Sequence, residues 1–320
     1  MTTRPRLFVV TPVYEDVEAC SLLFKHLGEQ LGEQLFVVAV DDGSVKQPLS
    51  ATTLTTQGVS GVVLKLRRNV GHQRAIAIGL AYVADHIQDN EEVVVMDSDG
   101  EDLPQTIPDL MQQLNNPEID VVVAQRRSRV ESLRFKTFYA VYKRFFKLMT
   151  GRAISFGNFM AMKPVAVKRL AAMQETTIHV AGSVLASKLR TALCPLDRGP
   201  RYAGRSKMNF VGLALHGFKG LMVFAEDVLV RVGIACSAIG AASIVGILAA
   251  IFLKLVGFST PGWFSVALGI LVLMLMQTGA LSLMTLMLTG VMRSGAVTSV
   301  IAYREFIEAE LPADRSARSE

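Results

Sequence analysis

The chain has 320 residues, of which 51% are hydrophobic and 19% charged; this balance excludes intrinsic disorder and provides for one large domain or two modest ones. Three cysteines, Cys20, Cys194 and Cys236, exclude a disulfide scaffold and offer no C-x-x-C metal spacing. The formal net charge of +5 favours anionic partners, and it is concentrated: residues 126–152 hold nine lysines and arginines against Glu131, and residues 188–219 hold seven against Asp197.

Strand and helix signals alternate along the first half of the chain. Leu7–Val10 is a short apolar β-run, and Val17–Gly28 has helical spacing. Phe36–Val40 predicts a second strand, ended by Asp41-Asp42-Gly43-Ser44, and Val62–Leu66 a third. Gln73–His86 is helical, with Ile76, Leu80 and Val83 on one side. Glu92–Met96 is a fourth strand that ends at Asp97; Ile107–Asn115 is a helix starting at Thr106, and Asp120–Ala124 a fifth strand. Continuous apolar strands separated by helices predict an α/β domain with a mainly parallel sheet covered on both faces.

Ligands of such sheets bind beyond the carboxyl ends of the strands. Those ends read Thr11-Pro-Val-Tyr-Glu-Asp16, Asp41-Asp-Gly-Ser44, Arg67-Arg-Asn-Val-Gly71 and Asp97-Ser-Asp-Gly-Glu-Asp-Leu-Pro104, and three of the four are acidic. The sequence has no G-x-G-x-x-G, which disfavours a dinucleotide fold, and no G-x-x-x-x-G-K-[ST], which excludes a P-loop. Acidic strand ends without a glycine cradle point to phosphates held through a divalent cation, Mg²⁺ or Mn²⁺, pinned by carboxylates. Asp97 and Asp99, two apart at a strand end, can be aimed at one ion.

The second half of the chain reads as membrane-associated. Residues 133–149 form a basic amphipathic pattern, with Phe135, Phe138, Tyr142, Phe145, Phe146 and Met149 on one face and Lys136, Lys143, Arg144 and Lys147 on the other, the mark of an interfacial helix on anionic lipid. Residues 209–230 predict a second such helix. From Val232 to Met292 the only charge is Lys254, and two transmembrane helices fit, about 232–253 and 264–291. Gly257, Pro261 and Gly262 supply the turn, and Trp263 an interfacial anchor. Basic residues flank the hairpin at Arg231 and Arg293, so positive-inside logic puts residues 1–231 and both termini in the cytoplasm. Met1–Pro12 offers only Leu7–Val10 as an apolar run, which predicts no signal peptide. The tail, 293–320, is expected to fray.

The motifs, taken together, resemble family 2 glycosyltransferases of the polyprenyl-phosphate type, the group of dolichol-phosphate mannose synthase and bacterial undecaprenyl-phosphate glucosyltransferases. T-P-V-Y-E-D resembles the family's P-V-Y-N-E segment, D-D-G-S at 41–44 its nucleotide-contacting turn, and R-N-V-G-H-Q-R-A at 68–75 its R-N-x-G-x-x-x-A. D-S-D-G-E-D-L-P at 97–104 is similar to its D-A-D-L-Q-D-P-P metal motif, and R-Y-A-G-R-S-K at 201–207 to an R-x-x-G-x-S-K near the acceptor phosphate. The resemblance implies a GT-A-like nucleotide-sugar fold. It implies nucleoside contacts from Pro12, Tyr14 and Glu15, and base or ribose recognition by Asp41 or Asp42. Asp97 would face ribose and diphosphate, with Asp97, Asp99 and Glu101 as the metal group. Arg126, Arg134, Ser206 and Lys207 would hold the acceptor phosphate, Arg201, Ser206 and Lys207 phosphates of donor or acceptor, with Asp99, Arg126, Arg201 and Lys207 carrying the catalysis. The implied partners are a UDP- or GDP-sugar, a polyprenyl phosphate and a bacterial-type inner membrane, with no nucleic acid. The sequence departs from the family at Gly157-Asn158-Phe159-Met160, where relatives carry an arginine, and at Gly100 and Glu101.

Two rival readings stay open: transfer to a hydroxyl-bearing lipid, which needs a carboxylate base, and a non-catalytic membrane scaffold that keeps the fold. A homo-oligomer that buries the faces of the hairpin is also open. His72 reads either as a donor-phosphate contact or as a hydrogen-bonded structural residue; His26, His86, His179 and His216 read as structural.

Overall fold

The computed structural model describes residues 6–126, 133–153, 156–202, 210–258, 262–295 and 302–314. The chain divides into two units, one of residues 1–144, 152–223 and 300–320, the other of residues 145–151 and 224–299.

In the first unit, β1 (Leu7–Val13), β2 (Leu35–Asp41), β3 (Ser60–Leu66) and β4 (Glu92–Val95) are parallel neighbours, with β1 between β2 and β4. Their side chains alternate between two buried layers, as the period of two requires. Phe8, Val10, Val38, Val40, Val62 and Leu64 pack beneath α3 (His72–His86). Leu7, Val9, Val37, Ala39 and Val63 pack on the other face with Leu23, Phe24 and Leu27 of α1 (Val17–Leu31), Leu54 of α2 (Ala51–Thr56) and Leu110 of α4 (Ile107–Leu114). Burial on both faces explains why these strands read as unbroken apolar runs.

Beyond β4 the sheet becomes mixed. After β5 (Val121–Arg126) and α5 (Leu133–Thr150), the three residues of β6 (Met160–Met162) lie antiparallel between β4 and β5. Then α6 (Pro164–Ala171), α7 (Val180–Ala186) and β7 (Thr191–Leu196) follow, β7 being parallel to β5.

Two expectations are corrected. Residues 209–230 do not make one helix: α8 (Phe210–Met222) ends at a two-residue turn, and α9 (Ala225–Leu255) begins at Phe224, its N-cap. The tail does not fray throughout: β8 (Ile307–Ala313) pairs antiparallel with β3 and completes the order β7-β5-β6-β4-β1-β2-β3-β8. Ile307 and Ala313 are buried while Glu308 and Glu310 point outward. Tyr303 donates to Asp85 Oδ2 at 2.6 Å, and Arg67 N–H donates to the Phe306 carbonyl at 3.0 Å.

In the second unit, α9 and α10 (Trp263–Gly295) form a hairpin. Ala225–Leu255 and Trp263–Thr289 are each long and apolar enough to span a bilayer. Small residues set the helices close: a Cβ on Gly233 would stand 3.0 Å from Thr285 Oγ1, one on Gly240 3.3 Å from Thr278 Oγ1, and one on Gly246 3.1 Å from Leu271. The other faces are apolar and exposed, Leu248 by 62% and Leu283 by 65%. Lys254 sits 4.1 Å over the ring of Phe264 at the turn end. Phe146, placed by its spacing on the aromatic, lipid-facing side of an interfacial helix, is instead buried against Phe224, edge to face at 5.9 Å.

Candidate active site

Four loops meet at the carboxyl ends of β1 to β4. Asp41, fully buried, accepts from Ser44 N–H (3.0 Å) and Leu49 N–H (2.9 Å). Asp42 accepts from Val70 N–H (2.7 Å) and Gly71 N–H (3.0 Å). Burial pushes the Asp42 carboxyl up, against these two N–H donors. Gly43, at φ +70°, lets the turn lie on Arg68, where a Cβ would come within 2.5 Å of backbone. The D-D-G-S and R-N-V-G motifs are therefore two sides of one hydrogen-bonded structure. Glu15, half-buried, accepts from the N–H groups of Val45, Lys46 and Gln47 at 2.8 to 3.1 Å, and these donors hold its carboxyl low. Pro12 is buried in β1 beyond its pairing with β4, where a missing N–H costs no ladder bond; Tyr14 stands 46% exposed at the rim.

The turn after β4 gathers the charge. Asp97 Oδ1 lies 3.2 Å from His72 Nε2, which also lies 3.2 Å from the Asn158 amide. Burial opposes protonation of His72, but Asp97, then Asp99 and Asp42, outweigh it and raise its pKa. Asp102, buried, accepts from Asp97 N–H at 3.0 Å and so fixes the turn. Asp99 Oδ2 pairs with Arg201 Nη2 at 2.6 Å, and Glu101 Oε1 with Arg201 Nε at 2.9 Å. Burial, and then Asp97, push the Asp99 carboxyl up; Arg201 works the other way. A cavity beside the turn is lined by Asp97, Asp102, Gln125, Asn158, Phe159 and Arg198.

The structure thus brings Asp97, Asp99, Glu101 and Arg201 into one cluster, with Asp41, Asp42 and Glu15 one loop away as buttresses. Arg126 ends β5 opposite Leu196, and Arg134 lies in α5; their side chains, and Ser206 and Lys207 altogether, lie outside the described residues. Sequence reading missed Arg198, Asp102 and Tyr202. It also missed that His26 faces this site, its Nδ1 lying 2.9 Å from the Tyr202 hydroxyl. His86 is structural, stacked on Tyr82 and 2.7 Å from the Tyr82 carbonyl.

The sequence profile of Glycosyl transferase family 2 matches residues 8–173, more than half of the chain. The chain belongs to that family. It is a glycosyltransferase with a mixed α/β, GT-A-like domain. It is 28% identical over 229 residues to an uncharacterized glycosyltransferase of Synechocystis, covering 68% of this chain and 69% of that one. It is 25% identical over 282 residues to the uncharacterized glycosyltransferase YkoT of Bacillus subtilis, 84% of this chain and 82% of that one. A dodecaprenyl-phosphate galacturonate synthase of Rhizobium johnstonii is 26% identical over 126 residues, 39% of this chain and 34% of that one. Among solved structures, glucosyl-3-phosphoglycerate synthase of Mycobacterium tuberculosis, in complex with Mn²⁺, UDP-glucose and phosphoglyceric acid, superposes with a TM-score of 0.53 at 15% identity, over 70% of this chain and 80% of that one. At that identity the likeness is one of fold.

The turn suits a hard divalent cation. Its donors are carboxylate oxygens, and two of them, from Asp99 and Glu101, already converge on one cationic group, the Arg201 guanidinium. Among the described residues no three His, Cys, Asp or Glu side chains converge at metal-holding distance. A Mg²⁺ held by one or two carboxylates plus substrate phosphates needs no such trio.

Proposed function

We propose that the protein moves a sugar from a nucleoside diphosphate to a polyprenyl monophosphate at the cytoplasmic face of a membrane. The observation that carries this is the carboxylate turn Asp97–Glu101 at the sheet's carboxyl end, ion-paired to Arg201, in a chain that also holds two bilayer-length helices. The similarity to a dodecaprenyl-phosphate galacturonate synthase supports the acceptor class. The surface of α8 supports lipid contact: Leu215, Phe218 and Met222 are each more than half exposed at helical spacing. On α5, Val141, Phe145 and Leu148 are likewise exposed at helical spacing, beside exposed Lys143, Arg144 and Lys147.

Asp99 and Glu101 would hold the cation, which supplies positive charge to the departing diphosphate. Asp41, Asp42 and Glu15 keep the loops around the nucleoside in one geometry, so that little ordering is left for the donor to induce. Arg201 adds charge where the leaving group develops it. The nucleophile is a phosphate oxygen, and a monoester with a second pKa of ~6 is largely ionised at neutral pH. It needs no strong general base; the task of the site is to seat two anions side by side, which the basic segments 126–152 and 188–219 serve. In-line displacement inverts the anomeric centre.

The test is transfer from radiolabelled UDP- and GDP-sugars to undecaprenyl phosphate in detergent, with Mn²⁺, Mg²⁺ or EDTA. One donor is expected to give an acid-labile labelled lipid, abolished by EDTA and lowered by at least about 100-fold in Asp99→Ala. Product with retained configuration overturns the displacement. Transfer to a hydroxyl lipid alone overturns the acceptor, and no product from any donor favours the scaffold.

A further inference from the structure

The segment 197–202 lies along the carboxylate turn and is fastened to it by backbone and side chain together. Gly199 N–H donates to the Glu101 carbonyl at 3.0 Å, and Tyr202 N–H to the Asp99 carbonyl at 2.9 Å. Tyr202 packs its ring on Gly100 and reaches His26 with its hydroxyl. Arg198 Nη1 pairs with Glu101 Oε2, and its Nη2 lies 3.9 Å from Asp102 Oδ1. Arg201 bridges Asp99 and Glu101. Arg198 also lines the cavity that Asp97 and Asn158 line.

Carboxylates withdrawn from water need a cation, and guanidinium groups withdrawn from water need an anion. The guanidinium fork fits carboxylate and phosphate equally well. In the arrangement seen, each charge satisfies the other.

We propose that Arg198 is a donor-diphosphate residue held in reserve: it is the counter-ion of Glu101 until a divalent cation takes the carboxylates, and then it turns, with Arg201, to the diphosphate. Ion pairs are exchanged and no charge is left without a partner. The inference rests on the donor and cation half of the proposed function and is independent of the acceptor. Its consequence is coupling. Either ligand alone must break the arginine–carboxylate pairs without replacing both sides, whereas cation and diphosphate together replace both, so each tightens the other.

The experiment measures free Mn²⁺ by electron paramagnetic resonance over the full chain in detergent, alone and with UDP or GDP. In the wild type one of the two nucleotides is expected to tighten Mn²⁺ by about tenfold, a coupling of the usual size. Arg198→Gln is expected to bind Mn²⁺ alone several-fold tighter, to bind the nucleotide in Mn²⁺ about tenfold weaker, and to lose the coupling. Arg198→Gln that weakens Mn²⁺ binding, or leaves both affinities unchanged, overturns the proposal and makes Arg198 a clamp of the turn. Glu101→Gln frees Arg198 without altering it, and is expected to raise nucleotide affinity in EDTA; an unchanged affinity overturns the exchange. A wild type that binds neither UDP nor GDP with Mn²⁺ overturns the donor reading and this inference with it. Coupling in a protein that transfers no sugar to prenyl phosphate upholds the exchange and refutes only the acceptor.

Discussion

A methyl group on residue 100 would stand 2.5 Å from the ring of Tyr202, on a backbone at φ +89° that side chains rarely adopt. Gly100→Ala is therefore expected to cost about 1–3 kcal/mol of stability and to loosen segment 198–202, read as a lower thermal midpoint and a lower rate of transfer. A second residue-scale prediction concerns His179. Its Nδ1 accepts from Gly182 N–H at 2.9 Å, so its proton sits on Nε2 and is donated to His216 Nε2 at 3.2 Å. Burial, and then His216, depress His179 to about 3 from 6.5. As pH falls below 6.5 the unfolded chain takes a proton that the native His179 refuses, so stability is lost progressively down to about pH 3, by about 2 kcal/mol at pH 5. Denaturant titrations at pH 7 and 5 should show that loss, and His179→Asn, which keeps an N-cap acceptor, should show less of it. At this scale Asp97 and Asp99 are legible in the sequence because they share one turn. Arg198 is not, since its partner Glu101 lies 97 positions away and the pairing leaves no local pattern.

Elements were legible in proportion to how completely they are buried. β1 to β5 read as strands because both faces are covered and the apolar runs are unbroken. β6 has three residues, too few for any period, and β7 alternates weakly, with only Cys194 and Leu196 buried. β8 did carry a signal: Ile307, Ala309, Leu311 and Ala313 alternate with Glu308, Glu310 and Pro312, as a half-covered edge strand should. Its charges and its position after the hairpin hid it. Ile307→Ala is expected to destabilise the sheet unit by about 2–4 kcal/mol, and deletion from residue 302 onward to expose the β3 edge, scored as aggregation after detergent extraction.

At the scale of the molecule, the apolar stretch 232–292 announced the hairpin, because no polar stripe interrupts it. The break at residues 223–224 was invisible, since apolar side chains run through both flanking helices. If both helices span the bilayer, as proposed, the strands on either side of the hairpin share one compartment. Phe258→Cys in the turn and Glu308→Cys on β8 test this in a background lacking Cys20, Cys194 and Cys236. A membrane-impermeant maleimide is expected to label residue 258 in intact cells and residue 308 only after permeabilisation. Labelling of both in intact cells, or of residue 308 alone, refutes the topology.

The eighth strand also sets an order of assembly. A ribosome delivers β1 to β7 first, then the hairpin, and Ile307–Ala313 last. In the proposed topology the closing strand reaches its partner only after both helices have crossed the bilayer, and until then the β3 edge is open. A chain whose second span fails to insert would strand β8 across the membrane from its partner. Under that topology, pairing of β8 with β3 requires both helices to have inserted, so the closed sheet edge would report on insertion.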